Sequence, residues 1–136
     1  MSDLVERLLA APGVYWGHGD GPESGRFVGR IEVQPMLSAV LLHYEAHGAS
    51  GLQHVEYALL GRGATGLELH TVIDTRSEVM TFSEVEPGVF GLRGPRDMRI
   101  VLGTPATDTV SYAWWWAAPG EPVIERSRLV ARRGDG

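Results

Sequence analysis

From residue 13 onward, apolar and polar residues alternate in short runs, which is the period-two pattern of β-strands. Ten such runs follow one another, at 13–19, 26–34, 38–47, 52–61, 65–74, 77–84, 88–93, 97–103, 109–117 and 122–132. The links between them are short and rich in glycine and proline, so successive strands should be antiparallel neighbours. A meander of this length leaves no unpaired edge only when it closes. We therefore predict an all-β fold, a closed antiparallel up-and-down β-barrel of about ten strands.

Residues 1–12 have a different, helical pattern. Ser2 is a candidate N-cap, and the sequence Pro12-Gly13 marks the end of the helix. The apolar residues of its one face are Leu4, Val5, Leu8 and Leu9. A short helix of this kind can plug one end of the barrel. We predict a single domain over 1–136, with the helix in 1–12 and the barrel in 13–133.

Composition and charge limit the function further. The chain has 136 residues, 43% of them hydrophobic, which is enough for one domain with its own core. A formal net charge of −5 argues against a nucleic-acid partner or an anionic membrane surface. The sequence has no Cys, which excludes a disulfide, a thiolate nucleophile or an iron–sulfur cluster. It shows no secretory signal and no membrane-spanning stretch, so we expect a soluble cytoplasmic protein without membrane insertion.

One strand near the C-terminus is rich in aromatic residues. Tyr112, Trp114 and Trp116 share a face with Val110, while Trp115 lies on the opposite face. The larger aromatic face should point into the barrel, where it surrounds either a filled core or a ligand cavity. Both interpretations remain open from the sequence. Trp115 then needs cover on the outside, for example in a homodimer.

Three further stretches match a known pattern in order along the chain. They are the opening strand Gly13-Val-Tyr15-Trp-Gly17-His-Gly19-Asp-Gly21, the segment Gln53-His54-Val-Glu56-Tyr57, and the final hairpin from Val110 through Ala117-Ala118-Pro-Gly120-Glu-Pro122 to Arg132-Arg133. Together they resemble the nitrobindin-like family of heme-binding β-barrels, which are related to the fatty-acid-binding proteins within the calycin superfamily. The resemblance implies a calycin-like barrel.

The final strand departs from that family. In its heme-binding members this strand carries the His that coordinates iron, whereas residues 124–128 read Ile-Glu-Arg-Ser-Arg here. An Arg guanidinium stays protonated and offers no lone pair to a metal. The nitric-oxide binding and peroxynitrite isomerisation that the resemblance implies therefore do not carry over directly. We predict no cofactor, and the alternative is heme held by another axial ligand, such as His18, His43 or His54.

His and Glu alternate on two consecutive predicted strands, with His43, Glu45 and His47 on one and His54 and Glu56 on the next. If Ala49-Ser50 is a two-residue turn, His43 lies opposite Glu56. Facing inward, this ladder could bind a metal or make His54 and Glu56 a catalytic acid–base pair. The opposite faces carry Val40, Leu42 and Tyr44, and Val55, Tyr57 and Leu59. Their burial is worth more than cross-strand charge pairs, so we expect the ladder to face solvent and predict no metal site.

These patterns favour binding of a small hydrophobic or amphiphilic molecule inside the barrel. The predicted walls of the site are Tyr44, Tyr57, Tyr112, Trp114 and Trp116. Arg126 is the predicted polar contact, because an inward Arg must be paired or must hold an anion. Two alternatives remain: an isomerase or cyclase that uses His54 and Glu56 on a hydrophobic substrate, and a protein with a filled core that acts through its surface.

Overall fold

The computed structural model describes residues 3–74, 76–92 and 98–134, which form one helix and ten strands. The elements are α1 (Leu4–Leu9), β1 (Gly13–Asp20), β2 (Phe27–Pro35), β3 (Val40–Gly48), β4 (Gly51–Arg62), β5 (Leu67–Ile73), β6 (Arg76–Glu86), β7 (Val89–Leu92), β8 (Met98–Gly103), β9 (Thr109–Trp116) and β10 (Ile124–Arg133). The strand ends lie within two residues of the predicted runs. The ends predicted at residues 93 and 97 fall outside the described residues.

The ten strands form one closed barrel. Around its wall β1 is followed by β10, β9 and so on in descending order to β2, and neighbouring strands are antiparallel. The β1–β10 contact closes the barrel by joining the two ends of the chain, with Tyr15 opposite Arg133 and Asp20 opposite Arg128. The predicted closed up-and-down barrel is confirmed.

The glycines of the opening strand make room for neighbouring strands. A Cβ atom on Gly17 would lie 2.0 Å from the carbonyl oxygen of Val130 in β10. A Cβ atom on Gly19 would lie 2.1 Å from the ring of Phe27 in β2. These two positions therefore need glycine because protein atoms, rather than a ligand, approach the backbone closely.

Helix α1 covers the end of the barrel where β1 begins. Its N-cap is Asp3, whose Oδ1 accepts a hydrogen bond from the backbone N–H of Glu6 at 2.9 Å. The predicted cap, Ser2, lies outside the described residues. Arg62, at the end of β4, donates to Asp3 at 3.0 Å and so ties the helix to the barrel rim. Within the described part of the chain, no helix is long and apolar enough to cross a membrane.

Below the helix the barrel is a packed core. Leu8 of α1 and the inward side chains at the adjoining strand ends, Val40, Leu60 and Leu102, are fully buried. The filled-core interpretation therefore holds for this end. Any space for a ligand has to lie at the other end.

Candidate functional site

A cavity of about 1080 Å³ opens at the barrel end opposite α1. Its walls come from the mouth-side parts of the strands and from two connecting loops, the β1–β2 loop (21–26) and the β9–β10 loop (117–123). The lining side chains are mainly aromatic, thioether and small: Phe27, Tyr44, Ala46, Met80, Met98, Trp114, Trp116, Ala117 and Ala118. Its polar lining includes His54, Arg126 and Ser127.

Three of the five predicted wall residues lie at the cavity. Tyr44, Trp114 and Trp116 line the cavity, and the two Trp rings lie edge to face at 6.5 Å. Tyr112 lies below them, buried, with its ring 5.2 Å from that of Tyr44. Tyr57 does not belong to this wall, because it points outward from β4 and is 46% exposed.

The predicted pairing of the His–Glu ladder is wrong. A β-bulge between Ala46 and His47 shifts the register, so that Glu56 lies opposite Tyr44, and His43 lies opposite Tyr57. The ladder is consequently split between the two sides of the wall. The β3 members, His43, Glu45 and His47, face outward as expected, and Glu45 lies 3.4 Å and 3.2 Å from the two His rings.

The β4 members of the ladder lie on the inner side instead. Glu56 is buried, and Ala58 and Leu60 continue the same inner face. The apolar residues that were expected inside, Val55, Tyr57 and Leu59, occupy the outer face. Tyr57 gains cover there by stacking on His43, with ring centroids 4.5 Å apart.

The Glu56 carboxylate lies beneath the cavity floor and accepts three hydrogen bonds. Its Oε1 accepts from His54 Nε2 at 2.8 Å and from Trp114 Nε1 at 3.1 Å. Its Oε2 accepts from the hydroxyl of Tyr112. These donors offset the cost of removing a carboxyl group from water. Tyr112 and Trp114 belong to β9, more than fifty residues further along the chain, so no local sequence pattern could have identified them as partners of Glu56.

His54 lines the cavity and lies between two carboxylates. Its Nε2 contacts Glu56, and its Nδ1 lies 3.3 Å from Asp74 Oδ1. Burial alone would lower the pKa of His54, but hydrogen bonds and charge from Glu56 and Asp74 outweigh burial and raise that pKa above 6.5. The imidazolium form donates to both partners, which leaves no ring nitrogen free to act as a base. No local sequence pattern pointed to Asp74 as part of this group.

The two inner tyrosines remain phenols. Burial raises the pKa of Tyr44, and the nearby charge of Glu56 raises it further, against a hydrogen bond with Ser127. Burial followed by the charge of Glu56 also raises the pKa of Tyr112. The floor of the cavity therefore presents neutral hydroxyl groups above a compensated acidic group.

Arg126 stands at the cavity mouth, with 10% of its side chain exposed. Its Nε donates to the carbonyl oxygen of Trp116 at 3.2 Å, and its Nη1 donates to Glu23 at 3.0 Å. The guanidinium carbon lies 5.8 Å from the centre of the Trp116 ring, a cation–π distance. Its Nη2 makes no hydrogen bond within the described residues, and the Glu121 carboxylate is 3.9 Å away. Arg126 thus links the two loops of the mouth.

The lining residues do not fit heme. Iron in heme proteins is held by His, thiolate, phenolate, or Met beside His. His54 has both nitrogens against carboxylates, and the raised pKa of Tyr44 disfavours its phenolate. His18 and His43 point away from the cavity. Among the described residues no group of three His, Cys, Asp or Glu side chains is arranged to hold a metal ion.

Comparison with known proteins supports the fold. No family model and no curated protein matches the chain. Rv2717c from M. tuberculosis superposes with a TM-score of 0.67 at 17% identity, over 97% of this chain and 99% of that one. A de novo designed fluorescence-activating β-barrel superposes with a TM-score of 0.53 at 12% identity, over 98% of this chain and 100% of the design. A redesigned β-barrel gives a TM-score of 0.51 at 8% identity, over the same shares. These likenesses show the fold alone, a closed antiparallel β-barrel.

Proposed function

We propose that this chain binds a small hydrophobic or amphiphilic molecule in the cavity opposite α1. The observation that carries the proposal is a barrel packed at one end and open at the other into about 1080 Å³ of aromatic- and thioether-lined space. Small-molecule sites typically combine an apolar concave wall with a few placed polar groups. The nitrobindin-like and fatty-acid-binding resemblance of the sequence supports the same class of function.

The polar end of an amphiphilic ligand would lie near the mouth. Arg126 has one nitrogen without a hydrogen bond there, and the hydroxyl groups of Tyr44 and Ser127 lie along the same wall. A ligand acceptor group that reaches Arg126 would gain a charge-assisted hydrogen bond. Arg126 is therefore the polar contact that we propose for this site.

Binding is favoured over acid–base catalysis by the arrangement of His54. A general base needs a free lone pair within reach of the substrate. Both ring nitrogens of His54 are directed at carboxylates, and Glu56 is enclosed by its three donors. The isomerase or cyclase alternative would require this group to break apart first.

The proposal is tested by filling the cavity. Ala46 is buried and points inward from β3, so Ala46→Phe should occupy the site. Titration with anilinonaphthalene sulfonate, followed by its fluorescence, should show affinity at least about tenfold weaker for this variant than for the wild type. Native mass spectrometry of wild type purified without detergent should show any retained small molecule, which the variant should lose.

A matched control separates cavity binding from surface binding. Val85→Phe adds the ring at a position that is 64% exposed and should leave the affinity unchanged. Should Ala46→Phe unfold, Ser127→Phe fills the cavity from β10. Equal probe affinity in a folded cavity-filled variant and the wild type would refute the proposal.

A further inference from the structure

The outer wall of the barrel carries a row of three aliphatic and two histidine side chains across five neighbouring strands. In order around the wall these are Val130 of β10, His18 of β1, Val28 of β2, His47 of β3 and Leu52 of β4, each paired in register with the next. Val130 is 45% exposed and Leu52 is 56% exposed. We refer to these five residues as the outer stripe.

Trp16 adds one exposed indole beside the outer stripe, with Arg30 and Arg132 as its in-register neighbours. It points outward from β1, is 47% exposed, and its ring lies 6.4 Å from that of His47. A large exposed indole beside exposed aliphatic side chains is typical of an interaction site. The described strands close into a barrel without a free edge, so a partner that packs on them has to use their outer faces.

Charged residues flank one end of the outer stripe. A groove of about 690 Å³ runs along β1 and β10 next to His18 and Val130. Its charged lining consists of two acidic and two basic residues, Asp20, Glu125, Arg26 and Arg128. The groove is thus balanced in formal charge, although the whole chain carries a net charge of −5.

We propose that the outer stripe and its groove form the interface with a second copy of this chain. In a two-fold contact the same patch meets itself, so the patch must contain both partners of each charge pair. A balanced patch also lets two copies of an acidic protein meet without repulsion at the contact. Trp115, the residue that the sequence pointed to for a homodimer, is not part of the outer stripe, although it pairs in register with Glu125 at the edge of the groove.

Asp20 and Arg26 are the pair that joins the two copies. They stand at either end of the loop between β1 and β2, and neither forms an ion pair among the described residues, although Asp20 accepts a hydrogen bond from Gly21 N–H at 2.8 Å. With the two-fold axis beside this loop, Asp20 of one copy faces Arg26 of the other, and the contact occurs twice per dimer. Trp16 and the outer stripe then supply the apolar part of the contact, to the side of the axis.

Analytical ultracentrifugation over a range of protein concentrations tests the proposal. Wild type should show a monomer–dimer equilibrium. Trp16→Glu should weaken dimerisation at least about tenfold, as loss of an anchoring interface Trp typically does. Val85→Glu, an exposed apolar-to-acidic change away from the stripe, should leave the equilibrium unchanged.

Charge reversal identifies the intermolecular pair. Asp20→Arg by itself and Arg26→Asp by itself should each abolish dimerisation, because like charges then face each other. An equimolar mixture of the two variants should restore dimer as a heterodimer, which an ion pair within one chain cannot produce. Wild type that stays monomeric, single variants that still dimerise, or a mixture that stays monomeric would each overturn the proposal. Circular dichroism of each variant confirms that it is folded.

Discussion

The carboxylate of Glu56 is held beneath the cavity floor by donors from two strands, and it sets the character of its neighbours. His54, Tyr112 and Trp114 each donate one hydrogen bond to it. Removing one partner of such a buried group costs more than the group itself contributes, because the remaining polar atoms stay out of water without partners.

Replacement of the Glu56 carboxylate by an amide should therefore lower the stability of the folded chain. Glu56→Gln keeps the shape but places an NH₂ group against donors, and we expect a loss of about 1–3 kcal/mol in the free energy of unfolding. Glu45→Gln is the matched control, since Glu45 also contacts His side chains but faces outward, and it should cost less than about 1 kcal/mol. Urea denaturation measures both, and equal losses would contradict the role of burial.

His54 makes the stability depend on pH. Its pKa in the folded chain is raised above the value of 6.5 that applies when it is exposed. Its contribution is therefore complete below pH 6.5 and is lost as the pH rises through the folded pKa. Denaturation measured at a series of pH values should show stability falling over that window in wild type.

Two variants assign this pH dependence. His54→Gln should flatten the slope above pH 6.5, because the titrating group is gone. His70→Gln removes a half-exposed His on the outer face of β5, which bonds Thr81, and should keep the slope. An unchanged slope in His54→Gln would assign the dependence to another group.

At the scale of elements, α1 is too short to be stable by itself and depends on the barrel beneath it. Leu8 is fully buried in the core, while Leu9 is only partly buried at its edge. Leu8→Ala should cost about 2–5 kcal/mol, and Leu9→Ala distinctly less. Thermal unfolding of the two variants measures this difference, and the opposite order would mean that the helix face is assigned incorrectly.

The strands could be predicted from the sequence, but the face of β4 that points into the barrel could not. Period-two runs and glycine- and proline-rich links located all ten strands, because hairpin geometry is encoded locally. The inner face of β4 was predicted wrongly because its apolar residues, such as Tyr57, lie outside while Glu56 lies inside. The bulge after Ala46 and the donors from β9 decide this, and both depend on strand pairing rather than on the local pattern.

At the scale of the whole molecule, closure depends on the β1–β10 seam, which joins the first strand to the last. The seam is tight at Gly17, where an added Cβ atom would overlap the carbonyl oxygen and carbon of Val130 and approach the Cα of Ala131. These are backbone atoms that cannot rotate away. Without the seam, β1 and β10 would become free edges of an open sheet.

Gly17→Ala should therefore open the seam and destabilise the barrel by about 1–3 kcal/mol or more. Gly61→Ala is the matched control, because its added Cβ atom would meet only the Cβ of Ala39 at 3.7 Å, and its effect should stay within about 0.5 kcal/mol. Hydrogen–deuterium exchange should localise the Gly17→Ala effect, with amide protection lost in β1 and β10 before β4 and β5. Uniform loss of protection around the barrel would show that β1 and β10 do not open separately from the rest of the wall.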